Sequence, residues 1–95
     1  MANPEINRLD LNILMVLAKD NATDELNGMT INEINSYYGE GEPLLSARPN
    51  LSKRIRWLHS IGYIEKGIKD VISDTFYITN DGLERIKWNG GKKDE

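Results

Sequence analysis

A short basic segment in an otherwise acidic chain is the part of this sequence best suited to chemistry. Residues 43–64 contain three arginines, one lysine and no acid, a charge of +4. The whole chain carries −3 at pH 7, whereas residues 1–42 carry −6, from eight acids and two bases. Guanidinium and ammonium groups bind phosphates and guanine edges, and Asn and Ser side chains can bond other bases. The distribution of charge therefore indicates an anionic partner, although its sum does not.

Other kinds of chemistry find little support. There is no cysteine, so disulfides and cysteine zinc sites are excluded. His59 is the single histidine of the sequence. We expect it to be a surface residue beside the basic segment and not a metal ligand. Gly39 and Gly41 alternate with glutamates, which would repel phosphate, and no histidine, acid and nucleophile are spaced as a catalytic set. The sequence predicts a protein that is not an enzyme and has no cofactor.

The chain is expected to be a soluble, cytoplasmic protein of one domain. No apolar run approaches the roughly 20 residues that span a bilayer, and the N-terminus is polar and acidic. The 95 residues fit a single folding unit, with a domain over residues 1–88 and a flexible tail over 89–95.

Three helices are predicted before the sequence pattern changes from helical to strand-like. The first spans residues 6–18 and begins near Pro4. The second begins at Thr30, which forms a capping box with Glu33, and ends at Gly39.

The third helix, over about residues 47–61 with Ser46 as its cap, contains most of the basic segment. At 100° per residue its apolar stripe consists of Leu51, Ile55 and Leu58. The opposite side carries Pro49, Lys53, Arg56 and Ser60. This helix is thus expected to present a core face and a cationic face without acids.

A hairpin and a last helix follow. Residues 63–68 and 75–79 alternate as strands around a short turn at 69–74. A final helix is expected over residues 80–88, with Trp88 anchoring its end.

Two motifs resemble those of winged helix-turn-helix regulators, which include the MarR-like and PadR-like families. Residues 58–66 read Leu-His-Ser-Ile-Gly-Tyr-Ile-Glu-Lys, similar to the junction between helix and wing, and residues 79–83 read Thr-Asn-Asp-Gly-Leu, similar to the start of the last helix. The resemblance covers roughly residues 6–88. It implies an α+β, mostly helical fold of three helices, a two-stranded wing and a C-terminal helix.

The resemblance also implies a function. The helix over 47–61 would enter the major groove of double-stranded DNA, and the wing would contact the backbone. A small repressor is expected, acting as a homodimer through the first or last helix, because one such domain makes few phosphate contacts. The expected DNA-binding residues are Thr30, Ser46, Arg48, Asn50, Ser52, Lys53, Arg54, Arg56, Lys66 and Lys69.

Three alternatives remain open. The cationic side of the third helix is, in the simplest interpretation, an ordinary solvated face. A winged-helix module that binds another protein would suit the acidic chain, since a fold does not fix a function. A DNA-binding protein of plasmid or phage partition or replication would use the same contacts as a repressor.

Overall fold

The structure, a computed structural model, describes residues 5–37 and 48–87. In these residues four helices surround a small antiparallel sheet, whose strand order is β1-β3-β2. The elements are α1, Arg8–Lys19; β1, Met29–Thr30; α2, Ile31–Tyr37; α3, Arg48–Ser60; β2, Ile64–Lys66; β3, Thr75–Ile78; and α4, Asn80–Arg85. The α+β class and the order of elements confirm the prediction.

The predicted start of α1 near Pro4 is wrong, because an internal capping box sets it later. The backbone N–H of Asp10 donates to Asn7 Oδ1 at 2.8 Å, and the backbone N–H of Asn7 donates to Asp10 Oδ2 at 2.9 Å. These reciprocal bonds satisfy two donors that a helix start leaves without partners. The helix therefore begins at Arg8, with Asn7 as its cap.

The capping box predicted for α2 is confirmed. The Thr30 N–H donates to Glu33 Oε1 at 2.9 Å, and the Glu33 N–H donates to Thr30 Oγ1 at 3.1 Å. The predicted end of α2 at Gly39 and the predicted cap Ser46 lie outside the described residues. The described part of α3 starts at Arg48, within the range expected from the sequence.

A single apolar core joins α1, α2, α3 and the sheet. Leu51, Ile55 and Leu58, the predicted apolar stripe of α3, are all 0% exposed. Burying each such side chain contributes about 1.5–3 kcal/mol. Their main partners in the core are Ile13, Leu14 and Leu17 of α1, Ile34 of α2, and Ile64 and Ile78 of the sheet.

One threonine ties the wing to the last helix. The Thr79 hydroxyl donates to the Gly62 carbonyl at 2.7 Å and accepts from the Gly82 N–H at 3.1 Å, so it caps α4 as predicted. Gly62 adopts a φ of +87°, which favours glycine where α3 turns into β2. The strands are shorter than predicted, and α4 ends at Arg85 rather than residue 88. Trp88 and the predicted tail lie outside the described residues.

We expect Gly82→Ala to lower the free energy of unfolding by about 1–2 kcal/mol. A methyl group there would lie 2.7 Å from Ile78 Cγ1 and even closer to the Tyr63 carbonyl oxygen. That oxygen is held by the Thr79 N–H at 3.0 Å, so the backbone has little room to move. Because the methyl group meets a hydrogen-bonded backbone oxygen, the upper part of the usual overpacking range applies, about 2–3 kcal/mol, less a gain in helix propensity of about 1 kcal/mol.

Urea unfolding measures this change. Glu84→Ala, at an exposed position of the same helix, is the matched control and should shift stability by less than about 0.5 kcal/mol. Equal stability of Gly82→Ala and the wild type would contradict the close packing of α4 on the wing.

Candidate nucleic-acid interface

The outer face of α3 is cationic and open to solvent, as the helical wheel predicts. Lys53 and Arg56 are exposed, and so are Asn50 and Ser60 on the same helix. Because the apolar stripe on the other side is fully buried, the cationic side of α3 faces solvent. The hydroxyl of Ser60 donates to the Trp57 carbonyl at 2.6 Å and so bonds the helix itself.

A cleft of about 430 Å³ joins this face to the wing and to the start of α2. Arg56 and His59 line it from α3, and Lys66 lines it from β2. The other lining residues are Thr30, Ile31, Asn32, Ser73, Asp74 and Phe76. The fold thus brings Thr30, Arg56 and Lys66, which are far apart in the sequence, to one surface.

Thr30 lies in this cleft mainly as a helix cap. Its side chain accepts from the Glu33 N–H, and the residue is only 7% exposed. His59, a predicted surface residue, is half-exposed, and its Nε2 lies 3.5 Å from Glu65 Oε1. The capping hydroxyl and the histidine therefore border the cationic face, whereas Lys53 and Arg56 supply its charge.

The two lysines of the wing are paired within the wing. Lys66 Nζ lies 3.6 Å and Lys69 Nζ 3.8 Å from the carboxylate of Asp74, and all three side chains are partly exposed. Exposed ion pairs of this kind contribute only about 0–1 kcal/mol. A phosphate can therefore compete with Asp74 for either lysine.

Sequence reasoning missed the apolar tip of the wing. Val71 and Ile72 are 88% and 84% exposed in a two-residue turn closed by backbone bonds between Asp70 and Ser73. Val71 has a φ of +62°, a left-handed conformation that β-branched residues rarely adopt. The sequence predicts a turn over residues 69–74, but two-residue hairpin turns usually carry Gly or Asn, so Val71 and Ile72 gave no signal for this tight form.

Arg54, expected at the DNA interface, is paired with an acid inside the fold. Its Nε donates to Asp10 Oδ1 at 2.7 Å and its Nη2 to Asp10 Oδ2 at 2.6 Å. The Asp10 side chain is fully buried and that of Arg54 is 24% exposed. The guanidinium also stacks on Trp57, 4.4 Å from the ring centroid. Arg54 therefore joins α3 to α1 instead of facing outward with Lys53 and Arg56.

The bond to Asp10 raises the pKa of Arg54 above its ordinary value, because it stabilises the charged guanidinium more than partial burial disfavours it. The sequence contained a signal for this pair. Asp10 shares one side of α1 with Leu14 and Leu17, at spacings of four and seven residues. Arg54 lies about 60° from Leu51 on the wheel, toward the core.

The remaining predicted residues divide by position. Ser52 is half-buried and Asn50 is exposed. Ser46 lies outside the described residues, as does the side chain of Arg48. Trp57 packs against the core and against the guanidinium of Arg54.

Residues 5–37 and 48–87 bear on two other kinds of function. They contain no group of three His, Cys, Asp or Glu residues placed to hold a metal ion. None of their helices combines the length and the apolar character that crossing a membrane requires.

We expect Arg54→Ala to cost about 3–5 kcal/mol of stability, because it leaves the buried Asp10 carboxylate without its partner. Arg56→Ala removes an exposed arginine two residues away and should cost less than about 0.5 kcal/mol. Thermal and urea unfolding of the two variants measure the difference. Similar costs for both variants would contradict the buried pair.

Comparison with known proteins finds one relative in sequence and several in fold. No model of a known protein family matches the sequence. The chain is 28% identical over 82 residues to the DNA-binding protein TubR of the Clostridium botulinum C phage, an alignment that covers 86% of this chain and 94% of that protein.

Two solved structures have the same architecture. TubR from Bacillus megaterium pBM400 has a TM-score of 0.70 and 18% identity, over 93% of this chain and 90% of that chain. MepR of Staphylococcus aureus, solved in complex with DNA, has a TM-score of 0.66 and 19% identity, over 86% of this chain. The match covers 60% of MepR, so this chain spans less than two thirds of that regulator. The chain thus has the winged helix-turn-helix fold that these proteins share.

Proposed function

We propose that this chain binds double-stranded DNA sequence-specifically, with α3 in the major groove, and acts as a homodimeric transcriptional regulator in the cytoplasm. One observation carries the proposal. The outward face of α3 bears Lys53 and Arg56, while the opposite face is fully buried in the core. A solvated helix face usually mixes charges of both signs, whereas α3 contains no acid.

The dimensions of α3 suit this role. Its 13 residues extend for about 20 Å, and the major groove, about 12 Å wide, admits a helix. In such a pose Arg56 reads a guanine edge, Asn50 reads an adenine edge, and Lys53 neutralises a phosphate. The cleft between α3 and the wing then follows the DNA backbone, with Lys66 on its far wall.

The compared proteins support the same proposal. TubR of the phage is described as a DNA-binding protein, and MepR was solved bound to DNA. The match to a phage protein favours a variant of the proposal in which the chain serves phage or plasmid partition or replication. Mapping the bound sites separates the two, because a repressor binds at promoters and a partition or replication protein binds at clustered sites elsewhere.

A homodimer would supply the contacts that one small domain lacks. Leu11, on α1, is 37% exposed and offers an apolar contact for a second copy. Two copies would double the phosphate contacts and read a two-fold symmetric site.

We expect Lys53→Ala and Arg56→Ala to weaken binding and to flatten its dependence on salt. The probe is a duplex selected from a random library by the wild-type protein, and fluorescence anisotropy gives Kd at several salt concentrations. Loss of one phosphate contact reduces the slope of log K against log salt by about 1. Loss of one base contact weakens binding about 5- to 150-fold, from roughly 1–3 kcal/mol.

Lys19→Ala is the matched control, since Lys19 is an exposed cation on α1, outside the proposed face. It should leave both affinity and slope unchanged. Unchanged binding in Lys53→Ala and Arg56→Ala would remove α3 from the interface. If no duplex binds at low salt while a protein partner co-purifies, the chain is instead a protein-interaction module.

We expect a single species of twice the chain mass in sedimentation equilibrium, and tighter binding to a duplex with two half-sites than to one with a single half-site. Leu11→Glu should shift the mass toward the monomer, because it places a charge in an apolar contact. Its control is Asp20→Ala, at an exposed position at the end of α1. A monomer at all concentrations would contradict the homodimer.

A further inference from the structure

A single buried carboxylate joins the start of α1 to the middle of α3. Asp10 Oδ1 accepts from Arg54 Nε, and Asp10 Oδ2 accepts from both Arg54 Nη2 and the backbone N–H of Asn7. The carboxylate cannot turn away, because the capping box holds its backbone and one of its oxygens. Both oxygens of the carboxylate thus accept hydrogen bonds.

The two parallel hydrogen bonds from Arg54 to Asp10, here called the fork, depend on direction, whereas the apolar contacts of the core do not. Apolar packing depends on the area buried and tolerates small rotations and shifts. Two parallel charge-assisted bonds fix both distance and angle. Since Arg54 directly follows Lys53 and precedes Arg56 by two residues, this fork fixes the orientation of the cationic face relative to the rest of the fold.

We propose that Asp10 and Arg54 are positioning residues for DNA binding: they set the alignment of α3 on the duplex without touching it. The inference rests on the proposed function. Asp10 is 0% exposed and lies on another helix, so it acts on DNA only through Arg54. Trp57, whose ring centroid lies 4.4 Å from the guanidinium carbon, packs against Arg54 as well.

The competing role, in which Arg54 itself contacts phosphate, predicts the opposite sign for Asp10→Asn. Removing the carboxylate charge releases Arg54, which is already 24% exposed. A released arginine that contacts phosphate would strengthen binding and steepen the salt slope by about 1. If Arg54 only positions α3, Asp10→Asn would weaken binding and leave the salt slope unchanged, because the number of phosphate contacts stays the same.

The experiment measures Kd for the selected duplex at several salt concentrations with Asp10→Asn, Arg54→Lys and the double variant. We expect each to weaken binding roughly 2- to 30-fold with an unchanged slope. Lysine does not rescue Arg54, since an ammonium group cannot form the two parallel bonds. The double variant should be no worse than either single variant, because the two residues act as a unit.

Circular dichroism confirms that each variant is folded at the temperature of the assay. If Asp10→Asn fails to fold, Asp10→Glu, which keeps the charge and displaces it by one methylene, takes its place with the same expected loss at constant slope. Stronger binding or a steeper slope makes Arg54 a contact residue and overturns the inference.

Unchanged affinity in all these variants also overturns the inference. The proposed function survives in that case if Lys53→Ala still flattens the slope. If the wild-type protein binds no duplex even at low salt, it is the proposed function that fails.

Discussion

The burial of one side of α3 is the constraint on which the rest of the structure depends. Leu51, Ile55 and Leu58 are removed from water against α1, α2 and the sheet, and this burial is the main source of stability available to so small a domain. Because burial of this stripe leaves the opposite side of the helix in solvent, Lys53 and Arg56 face outward. The cationic surface is therefore a consequence of the core.

The placement of charge in this chain follows from burial more than from sequence distance. Asp10 and Arg54, 44 residues apart, meet inside the fold, while Lys53, next to Arg54, stays in water. Burying such a pair carries a desolvation cost, which the two well-aligned hydrogen bonds from one guanidinium offset. In this protein the pair links the helix that carries the proposed interface to the helix that opens the domain.

The wing combines a rigid base with an unusual tip. Thr79 bonds Gly62 and Gly82 at once, so the end of α3, the end of β3 and the start of α4 meet at one hydroxyl. At the other end, Lys66 and Lys69 share Asp74, and Val71 and Ile72 point into solvent. The wing therefore adds little net charge to the cleft, and most of the cationic character comes from α3.

The sequence by itself determined the order of elements, the capping box of α2, the Thr79 cap of α4 and the apolar stripe of α3, since these depend on residues within a few positions of one another. It did not place Arg54, because the position of this residue about 60° from Leu51 on the helical wheel favours the core side, whereas its charge and its basic neighbours favour solvent. Only the tertiary structure decided that Asp10 lies within hydrogen-bond distance, and that Arg56 and Lys66 face the same cleft. Such pairings depend on how helices and strands pack across the core, which local spacing cannot encode.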